Sequence, residues 1–324
     1  MKKVYSLLFL ALSFAIYLIS AHPAQAIVVS PVTVEHELAP GMSATGNVRV
    51  SNDTNEEETY YVSIQTFIAK GEEGEQQYLP ETDVAGLPSW FSLSTKSITL
   101  QPKESKEFEY TINVPPNGEP GGHYATLFFS TTPSDGPGSN VGIAAKTGII
   151  FLVNVTGDIK ESAVIESFTA NNNIVSHLPE FMSLRIRNDG SVHLRPEGVL
   201  AVRNMWGGIV ARVAANPNKS AILPNSVRRL NVWWAKSNDI DNSGTFFGEL
   251  KNEWKNFGFG RYSATVDVYY GSKKTPLVPK TVTFWVIPWR LLTVFIIIAL
   301  ILMGIMQLYS KSVVSSAIKK PSKK

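Results

Sequence analysis

KEFEYTINV, residues Lys106–Val114, places Phe108, Tyr110, Ile112 and Val114 on one face and mostly polar residues on the other. Side chains alternate across a strand with a period of two, so this stretch reads as a strand buried on one face. The same alternation recurs on moving outward. MSLRIRN groups Met182, Leu184 and Ile186, and RYSATVDVYYG groups Tyr262, Ala264, Val266 and Val268. GIIFLVNV, Gly148–Val155, is a continuous apolar run suited to a strand buried on both faces. Trp233 and Trp234 are adjacent on a strand, so one enters the core and the other is exposed or packed on a neighbouring domain. Turn-forming clusters separate these runs: SNDTN, KGEEGE, PPNGEPGG, TPSDGPGSN, RNDG and NPNKS. Only FFGELKNEWKN, Phe246–Asn256, predicts a helix in this region, a short connecting one.

Three segments of the first half return in order in the second. VRVSND (Val48–Asp53) matches LRIRND (Leu184–Asp189). LQPKESKEFEYTINV (Leu100–Val114) matches LPNSVRRLNVWW (Leu223–Trp234). GGHYATLFF (Gly121–Phe129) matches FGRYSATVDVYY (Phe259–Tyr270). This predicts a duplicated domain. Short strands at even spacing with these turns predict β-sandwiches, and the Gly-x-Tyr before each penultimate strand resembles a tyrosine-corner position.

The ends differ in kind. Lys2 and Lys3 precede a largely apolar run over residues 5–20, and Ala24-Gln25-Ala26 forms an A-x-A pattern. Residues 1–26 therefore read as a signal peptide, with the mature chain starting near Ile27. From Leu291 to Leu308 no residue is charged; Trp285, Trp289 and Tyr309 flank this run. About 20 apolar residues span a hydrocarbon core, and aromatic residues mark its boundaries. Residues 287–309 read as a transmembrane helix and 310–324 as a Lys-rich cytoplasmic tail. The expected localisation is the cell membrane, single-pass type I, with the ectodomain outside.

The chain has 324 residues with 30 Lys+Arg, 27 Asp+Glu and no Cys. The lack of Cys excludes a disulfide framework, a thiolate metal site and a Cys nucleophile. Residues 27–157 carry 6 basic and 16 acidic side chains; residues 158–286 carry 16 and 11. His36, His123, His177 and His193 stand outside any H-x-x-H or H-E-x-x-H spacing, and neither a G-x-S-x-G elbow nor a P-loop occurs. No enzyme activity, metal or cofactor is expected, and no nucleic-acid partner.

The ordered set formed by the strand ending in SND, SWFSLSTKSITLQPKESKEFEYTINVPP and GEPGGHYATLFF resembles the peptidoglycan-binding domain of the WxL-interacting protein family of surface proteins. SLRIRNDG, ILPNSVRRLNV, GRYSATVDVYYG and TVTFWVI resemble its second domain. That family has a signal peptide, two Ig-like sandwiches, one C-terminal membrane helix and a short Lys-rich tail. Two departures stand out: TFIAKGEEGEQQY replaces one element of the first domain, and the loop with Trp254 reads as an insertion. The same strand logic also resembles periplasmic pilus-chaperone sandwiches, which are soluble and lack this anchor.

The expected fold is all-β: two tandem Ig-like β-sandwiches, 27–157 and 158–286, followed by one C-terminal transmembrane helix. The resemblance implies a non-enzymatic, membrane-anchored surface protein whose partner is cell-wall polymer (peptidoglycan) or another surface protein. The alternative is an extracytoplasmic chaperone or assembly factor that holds client strands at a sheet edge. An edge strand without Lys or Pro would favour the alternative. Candidate binding residues fall in two groups. Phe246, Phe247, Trp254, Phe257 and Phe259 crowd one segment, as a binding loop or as a mini-core over the sandwich end. Arg203, Arg212, Arg228 and Arg229 are available to an acidic partner.

Overall fold

The computed structural model describes residues 27–80, 86–133 and 146–318. The signal peptide expected over residues 1–26, and Lys319–Lys324 of the expected tail, lie outside the described residues. One compact unit contains the described residues up to Ile68 together with Tyr78–Gly157; the other contains Ala69–Gln77 and the chain from Asp158 onward.

The first unit is built from β1 (Ile27–Ser30), β2 (Thr33–Leu38), β3 (Ser43–Asn52), β4 (Glu58–Lys70), β5 (Glu75–Tyr78), a single turn α1 (Leu87–Trp90), β6 (Phe91–Leu93), β7 (Ser97–Leu100), β8 (Ser105–Asn113), β9 (Gly121–Ser130) and β10 (Lys146–Val155), except that the end of β4 and most of β5, within Ala69–Gln77, belong to the second unit. One sheet runs β1-β3-β8-β6 and the other β2-β10-β9-β4-β5, with β7 also on β4. The apolar faces read from the sequence meet between them. Phe108 packs perpendicular to Phe129 at 5.4 Å between centroids, and Tyr110 to Phe151 at 4.8 Å. Edge-to-face pairs of this kind add to the burial of the rings themselves.

The second unit repeats the scheme with β11 (Ala163–Ala170), β12 (Ile174–Val175), β13 (Glu180–Asn188), β14 (Glu197–Arg203), β15 (Ile209–Ala214), β16 (Ser226–Trp234), α2 (Phe246–Lys255), β17 (Gly260–Tyr270), β18 (Thr275–Pro276) and β19 (Lys280–Val286). Its sheets are β11-β13-β16 and β12-β19-β17-β14-β15, with β18 also on β17. In each unit a short strand pairs in parallel with the last long one: β2 with β10 and β12 with β19. Trp234, Tyr262 and Phe284 are buried in this core, while Trp233 is exposed. α3 (Trp289–Ile318) then leaves the sandwich. Its stretch Trp289–Val314 is 26 residues long, and an 18-residue window within it has a mean hydropathy of 2.8. At 1.5 Å per residue that is about 39 Å, enough to cross a hydrocarbon core of about 30 Å.

The repeated motifs hold equivalent places, with one exception. Val48, Val50 and Asn52 correspond to Leu184, Ile186 and Asn188, all buried; Phe108, Tyr110 and Ile112 correspond to Leu230, Val232 and Trp234. The two asparagines explain the shared dipeptide Asn-Asp. Asn52 donates to the carbonyls of Glu56 (2.7 Å) and Leu100 (3.2 Å) and accepts from the Thr54 N–H (2.9 Å). Asn188 donates to the carbonyls of Val192 and Ile222 (both 2.8 Å) and accepts from the Gly190 N–H (2.9 Å). Each amide clips a strand end to its own turn and to the chain entering β8 or β16.

The exception is the Gly-x-Tyr pair. Tyr262 lies in the core and its hydroxyl accepts from the Phe259 N–H at 3.3 Å, three residues upstream. Tyr124 instead lies on the other face of its sheet, 6.1 Å from Phe67, while Ala125, Leu127 and Phe129 enter the core. Because side chains alternate, a one-residue offset between the copies moves the tyrosine to the opposite face.

Two outcomes are expected for the second unit. Asn188→Ala leaves two buried carbonyls and a buried N–H without their partner, so denaturant titration of residues 27–286 should show a loss of about 2–3 kcal/mol. Burial pulls the His193 imidazole down to about 4 from 6.5. The unfolded chain thus takes up this proton before the folded one, and stability present above pH 6.5 is lost as pH falls toward 4, by at most roughly 3 kcal/mol. Stability measured over that range should fall less steeply in His193→Asn than in the parent; equal slopes would remove His193 as the cause.

Candidate binding surfaces

α2 is a helix with its polarity reversed. Thr245 caps it, accepting from the Gly248 N–H at 3.1 Å, with Glu249 in its first turn and Lys255 in its last. Asn252, Glu253 and Asn256 are buried against the sandwich, with Gly248 on the same side. Asn252 accepts from the Asp241 N–H (2.8 Å) and donates to the Asp241 carbonyl (2.9 Å). Asn256 accepts from the N–H groups of Lys236 and Ser237. The aromatic side chains point the other way: Phe247 is 79% exposed, Trp254 68%, and Phe246, Phe257 and Phe259 between 45% and 49%. Phe247 and Trp254 therefore stand outside any mini-core, while Phe246, Phe257 and Phe259 are half-buried. Polar anchors already fix the helix, and those two rings are left outside.

Those anchors also hold α3. Glu253 is fully buried and accepts from the Leu291 N–H at 2.8 Å, the Arg290 N–H at 3.3 Å and the Arg290 guanidinium at 3.1 Å. The first N–H groups of a helix lack intrahelical partners and carry partial positive charge, so a carboxylate here satisfies both needs. Glu249 lies 3.6 Å from the same guanidinium and 3.1 Å from His177. Phe246 meets Trp289 edge to face, 6.5 Å between centroids.

The four arginines do not form one patch. Arg229 pairs with Glu72 (3.3 Å) and Glu73 (3.1 Å), and its N–H donates to the Glu72 carbonyl at 2.8 Å. Arg185, opposite Arg229 across β13 and β16, also grips Glu72, and its hydrogen bond holds the Glu72 carboxyl below the usual carboxylate range. Arg228 is half-buried over Gly74, where a Cβ would stand 1.9 Å from its guanidinium; the positive φ of 86° also favours glycine there. Arg203 donates to the Gly207 carbonyl at 3.1 Å. Arg212 projects from β15.

β15 reads IVARVA and is the outer strand of its sheet. It contains neither Lys nor Pro; Arg212 is its one charged residue, and a bulge at Val210 interrupts its pairing with β14. Ile209 and Val210 are about 40% exposed. Ala215 donates its N–H to the Gly198 carbonyl at 3.0 Å. Since backbone groups alternate along a strand, the N–H groups of Ala214 and Arg212 point away from β14. On β14, β17 and β18 of the same sheet, inward of β15, an apolar groove of about 500 Å³ is lined by Gly198, Val199, Tyr269, Pro276, Leu277 and Val278. Gly198 forms its floor, where a Cβ would meet the Asp267 carbonyl at 2.1 Å. Neither the edge nor the groove stood out in the sequence. The signal was available in the alternation of IVARVA bounded by WGG and NPN.

Among the described residues, no three His, Asp or Glu side chains gather as a metal site. No family model and no curated protein matches the chain. Among solved structures it is similar to the class 5 fimbriae chaperone CfaA, at 12% identity and a TM-score of 0.38, over 81% of this chain and all of that one. It is also similar to the E. coli chaperone DraB (11%, TM-score 0.35, over 80% and 96%) and to a protein of unknown function from Porphyromonas gingivalis W83 (17%, TM-score 0.27, over 80% and 99%).

Proposed function

We propose that this is a membrane-anchored, non-enzymatic binding protein that takes up an extended segment of a protein partner by strand addition at β15. The observation that carries the reading is the open edge itself: outward N–H groups at Arg212 and Ala214, no Lys or Pro, and exposed Ile209 and Val210. Main-chain hydrogen bonds would supply affinity, and the exposed Ile209 and Val210 would meet apolar side chains of the added strand. This is the assembly-factor mechanism on an anchored chain, with type I topology and α3 as the anchor.

A second reading gives cell-wall polymer to the first sandwich, as the resemblance to WxL-interacting proteins implies. The aromatic face of its second sheet supports it. Tyr78 is 38% exposed and sits 5.0 Å from Phe128, next to Phe67. An exposed ring of this kind stacks on sugars without help from charge, which suits an acidic half-chain.

The ectodomain should be used as bait against purified cell walls and cell-surface proteins. Proline lacks an N–H, and Ala214 uses none within the sheet, so Ala214→Pro tests the edge while leaving the ladder intact. Protein capture is expected to fall at least tenfold in Ala214→Pro and to persist in Tyr78→Ala. Capture that ignores the proline would end the edge reading. Wall capture lost only in Tyr78→Ala would transfer the function to the first sandwich.

A further inference from the structure

The exposed aromatic residues of α2 belong to a larger arrangement at one end of the second sandwich. β19 ends at Val286 and α3 begins at Trp289, so this is the end from which the apolar helix departs. Gly260 pairs with Val286, which brings Phe257 and Phe259 to the same end. Arg203 pairs with Ser263, and the turn that follows it, Asn204–Gly208, projects there too. Trp206 in that turn is 80% exposed and Met205 is 44% exposed; the Met205 side chain lies against Gly260. Trp289 is itself half exposed beneath the Arg290 guanidinium, 4.5 Å away.

A surface helix normally buries its apolar side and shows water its polar side. α2 does the reverse while clamped through Glu253 to the first turn of α3. Its charged neighbours are internally neutralised: Lys255 pairs with Asp239 and Lys251 with Asp241. Rings of Trp and Phe beside an apolar helix suit the boundary between lipid headgroups and acyl chains.

We propose that this end of the sandwich, through Phe247, Trp254 and Trp206, is inserted into the interface of the membrane that α3 crosses. The occupant of the aromatic face is the lipid surface, and the contact depends on apolar burial rather than on anionic lipid. The inference rests on the reading of α3 as a membrane span, and the test separates the two.

The chain has no cysteine, so single cysteines carry a probe without background. The full chain is reconstituted in phosphatidylcholine vesicles as Phe247→Cys, Trp206→Cys, Ile301→Cys or Lys273→Cys, each labelled with a polarity-sensitive fluorophore. Lys273 lies in the turn after β17, at the opposite end of that strand, and Ile301 lies midway along α3. Lipids spin-labelled near the headgroup should quench the probes at 247 and 206 at least twofold and leave 273 unaffected; lipids labelled deep in the chain should quench 301. Adding phosphatidylglycerol or salt should change these values little. Quenching at 301 with 247 and 206 as unaffected as 273 overturns the insertion and leaves the span intact. No quenching at 301 overturns the span, and the insertion falls with it. Quenching at 247 that appears only with phosphatidylglycerol overturns the apolar basis of the contact.

Discussion

Two buried asparagines do in this chain what a disulfide does in many secreted sandwiches. Asn52 and Asn188 each sit at the end of an inner strand, and each amide is shared between a local turn and a carbonyl far along the sequence. Without those bonds the turn after β3 or β13 would have buried polar groups and no partners, a cost of about 1–3 kcal/mol for each group left so. With them, the strand entering from Leu100 or Ile222 is fixed in register, and the Phe, Tyr and Trp side chains of β8 and β16 meet the facing sheet. A core held this way needs no oxidising chemistry.

Much of this architecture could be read from the residues. Period-two alternation identified β8, β13 and β17 because one face of each is apolar and the other is wet. FFGELKNEWKN announced α2. What could not be read was which way things face when pattern and packing disagree. Tyr124 and Tyr262 share a motif, yet one residue of offset separates their sheet faces. The rings of α2 suggested a binding loop or a mini-core, because nothing in the string shows that Asn252, Glu253 and Asn256 would take the buried side. Long-range pairing was equally silent. Glu72 and Arg229 are 157 positions apart, and each alone reads as an ordinary surface charge. Trp206 sits in a Gly-rich turn, where a single exposed apolar residue is unremarkable until its neighbours in space are known.

The functional reading follows from what the second sandwich leaves unfinished. One cluster of its charges is answered within the unit: Arg185, Arg187 and Arg229 against Glu72, Glu73, Glu166 and Asp189. Surface ion pairs of this exposure add little stability, but they remove those arginines from the set free to bind anything else. Also unanswered are the outward backbone of β15 and its exposed Ile209 and Val210, and a protein strand can satisfy both.

Only Ile287 and Pro288 separate β19 from α3, and Glu253 closes the gap with hydrogen bonds to the first turn. The joint therefore has no swivel. A domain hung on a slack tether sweeps through every heading and finds its partner by chance orientation; one gripped at its root has its bearing set by the axis of the helix that holds it. Any tilt or rotation of that axis is passed to the sandwich as a rigid turn, and the β15 edge turns with it.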